Sequence, residues 1–201
     1  MIFLIAIKMI LKFKNLLIRS MLFRSVSCNR NTTPLEESYK KLKYSKITFP
    51  DDLQLTLEGK DTVMNGFLDS EFKLVVFRDS MSCNQCYVET FPQWDKLMCE
   101  FDSCYGKRLQ FVFVLSPLQK DEADLRLNLQ VIGFRHPIYL DMKKSFQRSN
   151  PQLPREHSLQ VFLVDKENEV VMIGDPLTSG DMRQLLKKKI QNNSIIDNLF
   201  N

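Results

Sequence analysis

Short apolar runs and helix-period faces alternate along most of the chain. Phe72-Lys73-Leu74-Val75-Val76-Phe77 is compact, β-branched and aromatic, which predicts a strand buried on both sides. After a polar stretch, Val88, Phe91, Trp94, Leu97, Met98 and Phe101 recur at three- and four-residue spacing, which predicts one continuous helix over 85–101 with Trp94 in the core. Leu109-Gln110-Phe111-Val112-Phe113-Val114-Leu115 reads as a second buried strand, stopped by Ser116-Pro117. A helix over 121–132, a short strand over 137–141 and a strand over 161–165 follow. The last of these joins a partner over 170–174 in a hairpin pattern, and a helix over 182–190 closes the series.

A strand–helix–strand opening implies parallel pairing through a right-handed crossover, and a terminal hairpin adds antiparallel strands. The fold class is therefore α/β, a three-layer arrangement with a mixed central sheet and helices on both faces. Upstream, 31–41 is polar, with Thr32-Thr33-Pro34, and reads as a linker. Leu53-Gln54-Leu55-Thr56-Leu57 alternates like a half-buried strand, and Glu58-Gly59-Lys60-Asp61 reads as a turn. The organisation expected is a targeting segment over 1–28, a linker and strand-rich lead-in over 29–70, the main domain over 71–191 and a frayed tail over 192–201.

Charge changes the picture at one end only. Lys8, Lys12, Lys14, Arg19, Arg24 and Arg30 lie in the first thirty residues without a single acid, so the chain's +4 leaves −2 for the remainder. A slightly acidic folded part argues against nucleic-acid binding. Basic residues interrupt the first apolar run before it reaches membrane-spanning length. The acid-poor mixture resembles an export segment, with Met9 as an alternative start, or a transit peptide. Cys28, preceded by Ser27, is a candidate for the acylated cysteine of a bacterial lipoprotein.

The remaining cysteines are Cys83, Cys86, Cys99 and Cys104, so the total of five is odd and cannot pair completely within the chain. Cys83-Asn84-Gln85-Cys86 sits just after the first buried strand and at the start of the first predicted helix. There the unpaired N–H groups and the helix dipole favour a thiolate, lowering a thiol from about 8.5 into a range of roughly 3.5–7.5. With this placement the chain resembles the thioredoxin superfamily, and within it the bacterial envelope redoxins of the TlpA-like kind, over roughly 71–190. The resemblance implies a thioredoxin-like fold, no cofactor, and thiol–disulfide exchange on the periplasmic side of the cell envelope. Cys83 would be the attacking thiol, Cys86 the resolving thiol, and Glu89, three residues on, a group that tunes ionisation or accepts a proton. The partners implied are a protein thiol or disulfide substrate and an electron-donor or acceptor protein.

The chain departs from the family at three places. Ser82 stands where an aromatic is usual, Pro92 lies one residue later than the family's helix proline, and His157-Ser158-Leu159-Gln160 lacks the proline that is usually cis before the next strand. Other readings stay open. The domain could be a non-catalytic binding or scaffold module with a structural disulfide. The spacing C-x2-C-x12-C-x4-C suits a four-thiolate zinc site, but a continuous helix would separate Cys86 from Cys99 by about 20 Å. Cys99 then reads as a buried thiol and Cys104 as a helix-end thiol, with a second disulfide between them as the alternative. His136 and His157 read as core or surface residues.

Overall fold

Thr33 opens a helix, α1 (Pro34–Leu42), where polar composition predicts a linker. The Thr33 hydroxyl accepts from the Glu36 N–H at 3.2 Å, a proline begins the helix, Glu36 and Glu37 lie in its first turn and Lys40 and Lys41 in its last. Only Leu42 of this helix is buried, so no apolar face marked it in the sequence. The computed structural model describes residues 32–64, 66–79 and 87–199, with side chains to Gln191. Residues Thr33–Asn201 form one compact unit.

The remaining elements are β1 (Gln54–Leu57), β2 (Lys60–Asp61), β3 (Phe72–Arg78), α2 (Phe91–Tyr105), β4 (Leu109–Leu115), α3 (Glu122–Ile132), β5 (Ile138–Leu140), α4 (Ser145–Ser149), β6 (Val161–Val164), β7 (Val170–Ile173) and α5 (Gly180–Leu199). Among the described residues, seven strands form one sheet in the order β2-β1-β5-β4-β3-β6-β7. β3, β4 and β5 are parallel, and β6, β7, β1 and β2 are antiparallel to their neighbours. With helices on both faces this is the thioredoxin-like α/β fold. The strand of the lead-in is part of the same sheet, since Leu55 pairs with Tyr139 of β5. The closing helix begins two residues before the predicted 182–190 and ends nine beyond it, running from Gly180 through Leu199.

Strand alternation sorts the core into two layers. Leu74, Val76, Phe111, Phe113, Val161 and Leu163 face α2, α3 and α5, which contribute Phe91, Trp94, Phe101, Leu129, Leu186 and Ile190. Val75, Phe77, Val112, Val114, Phe162 and Val164 face the opposite way, against Leu42, Ile47 and Phe146 of α4. Lys73 interrupts the apolar run of β3 and is 1% exposed; its ammonium donates to the Ser70 carbonyl at 3.2 Å. Gly59 turns β1 into β2 at φ +74°, and a Cβ there would meet the Arg126 carbonyl oxygen at 2.3 Å, so no larger residue fits.

Candidate functional site

The carboxyl ends of three parallel strands meet at one edge of the sheet, where ligands of open α/β folds commonly bind. β3 ends there at Arg78, β4 at Leu115 and β5 at Leu140. β6 begins and β7 ends at the same edge, because Val161 pairs with Val76 and Ile173 with Phe162. The edge therefore gathers Arg78, Asp79, Ser116, Asp141, Gln160 and Asp175.

Cys83 and Cys86, together with Ser82, lie outside the described residues, as does Cys28. The chain leaves the sheet at Arg78 and is buried again at Tyr87 and Val88. Glu89 is exposed in a turn. That turn corrects the single helix predicted over 85–101: Tyr87 and Val88 are helical, Glu89 and Thr90 are not, and α2 starts at Phe91 with Pro92 in its first turn. The Thr90 hydroxyl donates to the Tyr87 carbonyl at 2.7 Å instead of capping α2. The apolar spacing runs through this break in phase, which is why it predicted continuity.

The break removes the distance argument against zinc, which assumed one helix. Among the described residues, no three His, Cys, Asp or Glu side chains are grouped to hold a metal. Cys99 is exposed, which corrects the expectation of a buried thiol, and Cys104 lies exposed in the last turn of α2. Both are free thiols. Five helical residues advance about 7.5 Å, beyond the reach of a disulfide between them.

At the position where the resemblance places a cis proline, the 3-10 turn His157–Leu159 leads into Gln160 with no cis peptide bond among the described residues. Gln160 is fully buried. Its carbonyl accepts from the Phe77 N–H at 2.9 Å, and its side-chain amide donates to the Pro154 carbonyl at 3.3 Å. The amide oxygen Oε1 makes no hydrogen bond. A fixed glutamine thus replaces the ring that would line a groove.

Arg78 and Asp79 point to opposite faces of the sheet. Asp79 is 6% exposed and lines a cleft of about 430 Å³ with Phe77, Gln147, Asn150, Pro154 and Arg155. Arg78 turns to the α2 side, where its guanidinium carbon lies 4.6 Å from the centre of the Tyr87 ring. Its Nη1 donates to the Phe77 carbonyl at 2.8 Å, and Nη2 is 4.0 Å from the Asp175 carboxylate. Burial raises the Asp175 carboxyl above the usual range, against the Leu177 N–H bond and Arg78, which lower it. Burial likewise pushes the Tyr87 phenol above its ordinary value.

Beside these groups, Asp141 organises the next loop. Its carboxylate accepts from the Ser145 hydroxyl at 3.1 Å, from the Phe146 and Gln147 N–H groups at 3.2 and 3.4 Å, and from the Ser116 hydroxyl at 3.3 Å. Lys144 clamps the end of β4 through the Ser116 and Pro117 carbonyls at 2.5 and 2.8 Å. Sequence reading missed Arg78, Asp175 and this cluster. The signals were a charge ending an apolar run at Phe77-Arg78 and the Asp175-Pro176 pair after the hairpin.

No family model and no curated protein matches this chain. Solved structures are similar to it. One is a putative thiol:disulfide interchange protein DsbE from Chlorobium tepidum, 15% identical over 74% of this chain and 99% of that one, with a TM-score of 0.49. Another is a cysteine-to-serine mutant of peroxiredoxin Q from Xanthomonas campestris, 17% identical over 74% and 99%, TM-score 0.48. A third is a domain of a possible thiol-disulfide isomerase from Cytophaga hutchinsonii, 14% identical over 76% and 97%, TM-score 0.45. At these identities the likeness is one of fold, and it assigns no residue a role.

Proposed function

We propose that this protein catalyses thiol–disulfide exchange through Cys83 and Cys86. The observation that carries this reading is the position of the C-x-x-C: it is strung between the carboxyl end of a buried central strand at Arg78 and the buried, helical Tyr87 and Val88. In the reducing direction, the Cys83 thiolate attacks one sulfur of a substrate disulfide and expels the other as a thiolate, which takes up a proton. Cys86, losing its proton, then attacks Cys83 and releases the second substrate thiol. The substrate gains two electrons, the pair becomes a disulfide, and a dithiol donor protein resets it; the oxidising direction is the reverse. Glu89, exposed beside this segment, is proposed as the proton acceptor.

Titration of the pair against glutathione, read by alkylation and intact mass, tests this. The expected result is a single two-electron transition in which Cys83 and Cys86 change state together, with reduced protein cleaving a reporter disulfide catalytically. Titration without turnover would favour the binding-module reading, which the buried Gln160 in place of a cis proline supports. No transition at all would sink both.

We place this activity in the bacterial cell envelope, with Cys28 as the point of lipid attachment. The support is the acid-free basic and apolar composition of 1–30. Expressed in a bacterial host, the full chain is expected in the membrane fraction, and Cys28→Ala is expected to release most of it. A variant that stays membrane-bound would remove Cys28 from the proposal.

A further inference from the structure

Lys73 is a charged side chain inside the apolar run of β3. Strand alternation turns it to the same face as Val75 and Phe77, the layer that holds Ile47 and against which Phe49 and Leu68 pack. There it lines a cleft of about 610 Å³. Three stretches of chain wall this cleft: 46–49 ahead of β1, 68–69 ahead of β3, and 166–168 in the turn between β6 and β7. The Ile47 N–H donates to the Asn168 carbonyl at 2.8 Å, which ties the first wall to the third. The cleft lies at the amino end of β3, roughly 17 Å along the strand from Arg78.

Its lining is basic. Lys46, Lys73 and Lys166 stand there against one acid, Asp69, although the chain beyond residue 30 carries −2 overall. Lys46, Lys166 and Asp69 are exposed at the mouth, and Lys166 lies 3.7 Å from Glu167. Lys73 is instead 1% exposed, and its ammonium donates to the Ser70 carbonyl at 3.2 Å. Burial lowers its amine below the ordinary lysine value, although Asp165, Asp69 and Glu167 act to raise it. The nearby acids therefore do not make up for the hydration this ammonium has lost, and an anion seated in the cleft would. Asn168 adds Oδ1, a buried acceptor without a hydrogen bond among the described residues. Its φ of +64° explains an asparagine at that position by backbone alone; the buried oxygen is a separate fact, an acceptor for an incoming O–H. Ile47, Phe49 and Leu68 supply an apolar wall.

We propose that this cleft binds a small hydroxycarboxylic acid with an apolar body. The carboxylate meets Lys73, with Lys46 and Lys166 at the mouth. The body packs on Ile47, Phe49 and Leu68, and the hydroxyl donates to Asn168 Oδ1. The volume falls within the range of roughly 300–1,000 Å³ typical of small-molecule sites. The site stands apart from the cysteine pair and does not depend on the exchange reading.

A chemical-shift titration of the full-length protein with phenyllactate tests this. Saturable binding is expected with a Kd on the order of 1 mM or tighter. Lys73→Met, which keeps an apolar stem in the layer, is expected to weaken it by about tenfold or more. Lys46→Gln combined with Lys166→Gln alters exposed positions only; it is expected to weaken binding about threefold and serves if Lys73→Met does not fold. Asn168→Gly keeps the left-handed backbone and is expected to weaken phenyllactate while leaving phenylacetate, which has no hydroxyl, unchanged. Absence of saturable shifts in the wild type would overturn the proposal. So would shifts that persist undiminished in both lysine variants, or equal binding of the uncharged phenyllactamide, which would leave an apolar cleft only. Binding of inorganic phosphate without the carboxylates would overturn the organic class.

Discussion

Cys83→Ser is expected to abolish exchange, with reporter-disulfide cleavage falling on the order of 10³-fold or more, the scale on which removing a nucleophile acts. Cys86→Ser is expected to behave differently. Its first step survives, so the variant should cleave once and stop, accumulating a mixed disulfide at Cys83 that a serine cannot resolve. The two variants lose turnover alike but differ in covalent products, which intact-mass measurement after acid quenching separates. The reverse pattern, with a trapped adduct on Cys86 in the Cys83→Ser protein, would exchange the two roles. Equal, undiminished turnover in both would remove the pair from the chemistry and leave the exposed Cys99 and Cys104 to be tested next.

Phe91→Ala is expected to be among the most destabilising single substitutions in the domain, at about 3–5 kcal/mol. The ring is fully buried at the first residue of α2. It stacks on Phe134 with centroids 4.3 Å apart, and meets Tyr87 and Phe113 edge-on at 5.3 and 5.7 Å. Removing it opens a void bounded by three aromatic rings that cannot collapse together. Against a total stability of roughly 5–15 kcal/mol, the loss is a large fraction. The measurement is the urea midpoint at unchanged slope, with Leu127→Ala as control, since Leu127 is 57% exposed on α3 and is expected to matter by no more than about 0.5 kcal/mol. A shift no greater than that of the control would mean the aromatic cluster rearranges around the gap.

The sheet was legible where burial is two-sided. The runs that became β3 and β4 are apolar on both faces because a core layer packs on each side of them, and continuous apolar composition follows directly from that. α1 was illegible for the opposite reason. With Leu42 as its single buried residue it has no periodic stripe, and its caps are weak signals in a polar setting. The interruption at Glu89 and Thr90 was hidden because Val88 and Phe91 keep helical phase across it, although Pro92 marks a first turn. At the site, the cysteine spacing was readable as a pattern, but its surroundings were not. Arg78 and Asp175 are brought together only by the strand register that returns β7 to the carboxyl edge of β3, and no local pattern encodes a register.

The stretch ahead of β3 has a practical bearing on how this protein can be cut. Leu42 and Ile47 seal one side of the sheet over Phe77 and Val164, and β1 covers the outer border of β5. A fragment begun at Glu71, where the sequence pattern suggests a domain boundary, would strip that lining and leave a bare strand margin open to pairing with other chains. A piece that keeps this lining includes Leu42 and the helix that carries it, so it starts no later than Thr33, the cap of α1.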